Sequence, residues 1–168
     1  LCVGADGGCA STSTAPATFS GSIETDTAWQ GGLVRITGDV FVDVDARWIL
    51  GPGTHLQIDP GVTITVTGAL VAMGSAAAPV IFESSAVTPT RSDWSGLTGN
   101  GDVAVSDCEI RHASTAVALA TVARCLLEEN GTAMVGGRAT DTVVRSNNVA
   151  ILPGGPRGSY TSFFGGRV

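Results

Sequence analysis

From Gly21 onward apolar and polar side chains alternate in very short runs: Leu33-Val34-Arg35-Ile36, Val40-Phe41-Val42, Leu56-Gln57-Ile58, Val62-Thr63-Ile64-Thr65-Val66 and Val80-Ile81-Phe82. A period of two places successive side chains on opposite faces, so each run predicts a short strand with one buried face. GD, GPG, DPG and TG corners separate the runs, and glycine, proline and aspartate are the residues that turn a chain sharply. Strands this short do not suit an ordinary two-sheet sandwich. The segment from Ile58 to Ser84 is typical: Pro60-Gly61 turns a corner, Ile64 and Val66 point inward, Gly68 turns again, and the product is wall rather than catalytic surface.

The later part of the chain repeats. Cys108-Glu109-Ile110, Cys125-Leu126-Leu127 and Thr142-Val143-Val144 superimpose at a constant step of 17 residues, and in that register Val105, Val122 and Ala139 coincide, as do Ala113, Asn130 and Asn147. A fixed step of this size predicts a solenoid, because a single coil cannot bury its apolar face alone and must stack on its neighbours. The fold class expected is therefore all-β, a parallel β-helix of about six to eight short coils over residues 21–152, roughly 30 Å long at the spacing of stacked strands. An inward Asn at a corner can bond the Asn one coil away, so Asn130 and Asn147 form a candidate two-rung ladder. Cys108 and Cys125 occupy matching positions on adjacent coils, either as two small buried side chains or as a disulfide.

Composition agrees. Of 168 residues 43% are hydrophobic and 14% charged, enough apolar material for one domain core. The chain has no lysine; its nine cations are all arginine, set against fifteen acids for a net charge of −6. There is no basic stripe of the kind that binds phosphate backbones, so nucleic acid is not an expected partner. No apolar run reaches the roughly 20 residues of a membrane-spanning helix, so neither a membrane span nor a retained signal peptide is expected.

Residues 1–20 read as a Ser/Thr/Ala-rich tail, in which Cys2 and Cys9 of CVGADGGC can close a small loop and STSTAPAT resembles an O-glycosylated stalk. A loop of that kind fits an oxidising, extracellular setting. Residues 153–168 form a second tail that is Gly-rich yet carries Tyr160, Phe163 and Phe164.

The stretch GDVFVDVDARWILGPGTHLQIDPGVTITVTGALVAMGSAAAPVIFES with the later DWSGL, Gly38 to Leu97, resembles the right-handed parallel β-helix modules of secreted bacterial surface proteins. The likeness covers about sixty residues strongly and implies a right-handed β-helix with a secreted, cell-surface address. It implies no activity, since this fold carries enzymes, adhesins and plain scaffolds alike.

Candidate chemistry is sparse. Asp43 and Asp45 in VDVDA alternate onto one outward face beside Arg47 and, with Trp48, form a possible ligand platform for an extracellular glycan. The other reading of the two acids is a solvated strand face. His55 and His112 lie in no nucleophile motif, and GNGDVAVSD is one incomplete copy of a calcium-binding glycine-aspartate repeat that reads better as a surface turn. No catalytic residue, metal site or cofactor is expected.

Trp29, Trp48 and Trp94 are expected to cap or cover the sheets. The ends of a β-helix expose strand edges that recruit further strands, so the expected partner is the chain itself, joined head to tail. The C-terminal tail, residues 153–168, either folds back as a cap on its own last coil or packs on the first coil of the next molecule; in the second arrangement Tyr160, Phe163 and Phe164 are the expected anchors, and the edges near Val34 and Ile151 the expected faces. The function anticipated is a non-enzymatic extracellular structural subunit of a filament, matrix or surface layer. The alternatives are a glycan-binding or adhesive module and, behind it, a polysaccharide lyase or hydrolase.

Overall fold

The computed structural model describes residues 12–13 and 17–152. The expectations for Cys2, Cys9, Tyr160, Phe163 and Phe164 fall outside them. Among the described residues every regular element is a strand, and every strand pairing within the sheets is parallel; the isolated Ser75–Ala78 bridge is antiparallel.

The strands form three stacks that the chain visits in turn. The first is a seven-stranded sheet: Thr12–Ser13, Thr27–Trp29, Arg47–Leu50, Ala69–Met73, Asp102–Ser106, Thr121–Ala123 and Arg138–Thr140. The other two belong to a twelve-stranded sheet joined through the long strand Gly32–Val42. Its first part pairs with Thr54–Ile58, followed by Val80–Ser84, Cys108–Arg111, Leu126–Glu128 and Val143–Arg145. Its last part pairs with Thr63–Val66, followed by Gly96–Gly99, Thr115–Ala118, Thr132–Val135 and Val149–Leu152. Thr18–Ile23 pairs with both parts, shifting register between Phe19 and Gly21. The sheets thus begin within the stretch that the sequence reading assigns to an N-terminal tail. The arrangement is solenoid-like and compatible with a parallel β-helix.

Inward positions of neighbouring strands lie in register and build the core. Leu50, Ala72, Val105, Val122 and Ala139 make one continuous column, and Val40, Ile64, Leu97, Val117 and Met134 another. All ten are buried. Val34, expected at an assembling edge, is fully buried, because its strand carries Thr54–Ile58 on one side and Thr18–Ile23 on the other. Ile151 pairs with Met134 in the outermost strand of its stack. Toward the N-terminal end Phe19, Trp29 and Trp48 pack edge to face, with ring centroids 5.2 and 5.0 Å apart, and both tryptophans lie inside the core. Trp94 is also buried, and its indole N–H donates to the Arg111 carbonyl at 2.9 Å.

The 17-residue step appears directly in the pairing: Val105 on Val122 on Ala139, Glu109 on Leu126 on Val143, Thr115 on Thr132 on Val149. Its corners repeat as well. Left-handed backbone recurs at Asp107, Arg124 and Asp141, at His112, Glu129 and Ser146, and at Leu119 and Gly136. Such a residue bends the chain within one position, at a cost of about 1 kcal/mol when it is not glycine. Cys108 and Cys125 form a disulfide between adjacent coils with their Cα atoms 4.5 Å apart. That resolves the alternative left open by the sequence, since direct stacking brings the two side chains within bonding reach.

Asn130 is fully buried at its corner. Its Oδ1 accepts the Ala113 N–H at 2.9 Å, and its Nδ2 donates to the carbonyls of Ile110 and Glu128 and to Asn147 Oδ1. Asn147 repeats the pattern one coil on, accepting the Asn130 N–H at 2.8 Å and donating to Leu127 O and Arg145 O. The expected ladder is present, and its main partners are backbone groups that the corners would otherwise leave unpaired.

Asn130→Ala strands several buried polar groups at once and is expected to lower unfolding stability by about 3 kcal/mol or more, measured by chemical denaturation. Leu119 is exposed and left-handed where Gly136 stands one coil later. Leu119→Gly is therefore expected to gain about 0.5–1 kcal/mol in the same assay, and Leu119→Val to lose stability.

Candidate functional site

Three polar clusters arise where successive coils stack, two at corners and one on a strand face. The first is a groove of about 480 Å³ lined by Asp26, Asp45, Arg47, Thr67, Asn100 and Asp102, among others. It exists because the turn from Asp43 to Ala46 is longer than the corners that follow it at Thr67-Gly68 and Asn100-Gly101. A Cβ on Gly68 would run into the Asp43 and Ala46 carbonyl oxygens, and one on Gly101 into the Gly68 carbonyl. Glycine is thus needed for the corners to approach, and it leaves a bare backbone floor beneath the overhanging turn. The Asp26 carboxylate accepts the Arg47 backbone N–H at 2.9 Å.

Of the residues expected to form a ligand platform, Asp45 lines this groove. Asp43 lies in the same turn, exposed, and not on a strand face as the alternation suggested. Trp48 is fully buried against Trp29 and presents no face to solvent, because its position alternates inward with Leu50. Its indole nitrogen has no hydrogen-bond partner.

The second cluster covers the outward face of the stack that runs through Thr54–Ile58. Arg111, Glu128 and Arg145 are direct neighbours on successive coils. Arg111 pairs with Glu109 and Glu128 at 2.9 and 2.8 Å, and Arg145 with Glu128 at 2.6 Å. Burial raises the Glu128 pKa, but hydrogen bonding from Arg145 and the charge of Arg111 outweigh it and hold the carboxyl below its ordinary range. Nearby, His55 Nε2 lies 2.7 Å from Glu83 Oε1. Arg35 Nε donates to Asp59 Oδ1 at 2.8 Å, and with a hydrogen bond from Ser85 this lowers the Asp59 pKa. Arg124 does the same for Asp107 through contacts of 3.0 and 2.6 Å.

The third cluster surrounds His112, whose ring is nearly buried. Its Nε2 stands 3.2 Å from Glu129 Oε2, while Nδ1 has no partner. The connection from Ser85 to Asp93, longer than the other corners in its column, runs over this site and reaches down the stack, where Arg91 donates to Asn148 Oδ1 at 2.6 Å. The Asp93 carboxylate closes the connection. Burial raises its pKa, yet hydrogen bonds from the Ser84 hydroxyl at 2.7 Å and from Thr90 outweigh that and lower it.

Sequence reasoning did not pair either histidine. Glu129 follows His112 by one 17-residue step, so the repeat register contained that signal. Glu83 follows His55 by 28 residues, because the intervening corners are longer, and no periodic signal marks it. No set of three or more His, Cys, Asp or Glu is placed to hold a metal ion among the described residues. No helix among them is long and apolar enough to cross a membrane.

The groove offers carboxylate and amide acceptors beside guanidinium and amide donors, the mixture that a polyol can satisfy. The other two clusters mainly satisfy themselves. No protein family, curated protein or solved structure matches the chain.

Asp59, Asp93, Asp107 and Glu128 all have folded-state pKa values below their ordinary values of 3.8 for Asp and 4.5 for Glu. A carboxylate with a depressed folded pKa contributes stability above its unfolded pKa and loses it as pH falls through the folded one. The melting temperature is therefore expected to be nearly flat from about pH 7 to 5 and to fall below about pH 4. A melting temperature unchanged down to about pH 2.5 would contradict these pairings.

Proposed function

We propose that this chain is a non-enzymatic extracellular structural part, a right-handed parallel β-helix of about six to eight coils that assembles end to end into a filament, matrix or surface layer. The observation that carries the reading is the state of the two ends. Among the described residues nothing pairs with the outer edges of Thr12–Ser13 and Thr18–Ile23 at one end. The same holds for Arg138–Thr140, Val143–Arg145 and Val149–Leu152 at the other. Strand edges with free N–H and C=O groups are templates for further strands.

Handedness and secretion are supported by the resemblance of Gly38–Leu97 to secreted β-helix modules. The Cys108–Cys125 disulfide supports an oxidising compartment. The groove at Asp45 and Asp102 supports a second reading, a glycan-binding module, because it sets polar donors and acceptors around a glycine floor.

Negative-stain microscopy with sedimentation velocity across a concentration series separates the two. The assembly reading expects particles that lengthen with concentration well beyond the roughly 30 Å of a single solenoid. Single short particles at every concentration overturn it and leave the groove as the functional surface.

A further inference from the structure

The register of the columns defines the joint between copies, an inference that rests on the assembly reading above. Two columns run unbroken through the described solenoid, and a third runs in two aligned segments. Ala139 continues through Val122, Val105, Ala72, Leu50 and Trp29 to Ser13. Ile151 continues through Met134, Val117, Leu97, Ile64 and Val40 to Gly21. On the outward face Arg145 continues through Glu128 and Arg111 in one segment, and through Glu83, Gln57 and Arg35 to Thr18 in the next. The neighbouring Ile110–Phe82 pair aligns the two segments.

Among the described residues the two ends therefore present edges in the same three columns and with the same polarity, carried by two strands at the N-terminal end and three at the C-terminal end. A copy displaced along the axis brings all three edges onto their counterparts at once. The strand Thr18–Ile23, TFSGSI, contains no charged residue and no proline, the two devices with which proteins usually keep an edge from pairing.

The corner ladder ends at the same C-terminal edge. The Ala113 and Asn130 amides each donate to the Asn side chain of the following coil. Ala113, Asn130 and Asn147 stand two positions past Arg111, Glu128 and Arg145, so the series of corner amides ends at the Asn147 N–H. We infer that the partner at the C-terminal edge is a second copy of this chain in head-to-tail, parallel register, with Thr18 on Arg145, Ser13 on Ala139 and Gly21 on Ile151. In that joint the Asn147 backbone N–H, at the end of the corner series, lies against the first coil of the next copy.

Paired cysteines test the joint. Within one molecule Thr18 and Arg145 are six rungs apart, about 29 Å, so a disulfide between them can form only between molecules. The chain's own Cys108–Cys125 bond shows that residues stacked directly on adjacent coils are within reach. The full-length Thr18→Cys/Arg145→Cys variant, oxidised at a concentration where particles lengthen, is expected to give a ladder of covalent multimers. Its yield should be at least about tenfold that of either single variant or of the off-register Thr18→Cys/Val143→Cys pair. Equal yields with particles still lengthening overturn this joint and leave the assembly reading standing. Cross-linking by Thr18→Cys alone marks a two-fold joint and overturns it too, and particles that never lengthen overturn both.

Amide hydrogen exchange on the unsubstituted chain gives a second readout, independent of how the variants fold. The Asn147 N–H is expected to slow on lengthening, and an unchanged rate contradicts the joint.

Discussion

In this chain the backbone hydrogen bonds of a coil are satisfied by other coils. Parallel strands only a few residues long cannot pair within their own turn, so every N–H and C=O in the three stacks depends on a neighbour along the axis. Successive coils must therefore bend at the same places. Recurrent left-handed residues at His112, Glu129 and Ser146, and at Asp107, Arg124 and Asp141, supply the bends. Asn130 and Asn147 bond the backbone groups that the bends would leave unpaired. The disulfide and the Arg111–Glu128–Arg145 row follow from the same constraint, since stacking in register brings like positions to nearly one strand spacing.

What the sequence made legible follows from how strictly that constraint is written into it. Where coils are 17 residues long the alignment of Cys108 with Cys125 and of Asn130 with Asn147 locates both the cross-link and the ladder, because side chains at equal phase must touch. The alternation in Leu56-Gln57-Ile58 and Val62 to Val66 likewise assigns their buried faces correctly. Legibility fails where coils vary in length. The runs around Val34 and Val40 read as two strands but form one, Gly32–Val42, that crosses from one stack to the next without a sharp corner. Asp43 and Asp45 alternate like strand residues yet occupy the turn that roofs the groove. Trp48 looks like a sugar platform because nothing in its local pattern tells an inward aromatic from an outward one. The His55–Glu83 pair spans unequal corners, so no period marks it.

The functional reading grows from the same geometry. The charged residues on the outward face of one stack largely neutralise each other, and the interior is filled with aliphatic and aromatic side chains. Among the described residues the features that remain open to interaction include the strand edges at the two ends and the groove beneath the Asp43–Ala46 turn. The edges are the larger feature, since they repeat in all three stacks and share their columns. The assembly we propose continues at the ends the pattern of the interior.

The most direct test of that account is residue-resolved amide hydrogen exchange at the corners. Ala113 and Asn130 lie outside the strands, yet their N–H groups are held by Asn side chains of the next coil. They are expected to exchange as slowly as the strand amides of Ile110 and Leu127. Exchange at those two corners as fast as in the exposed connection around Val87 would contradict a structure held together by stacked corners.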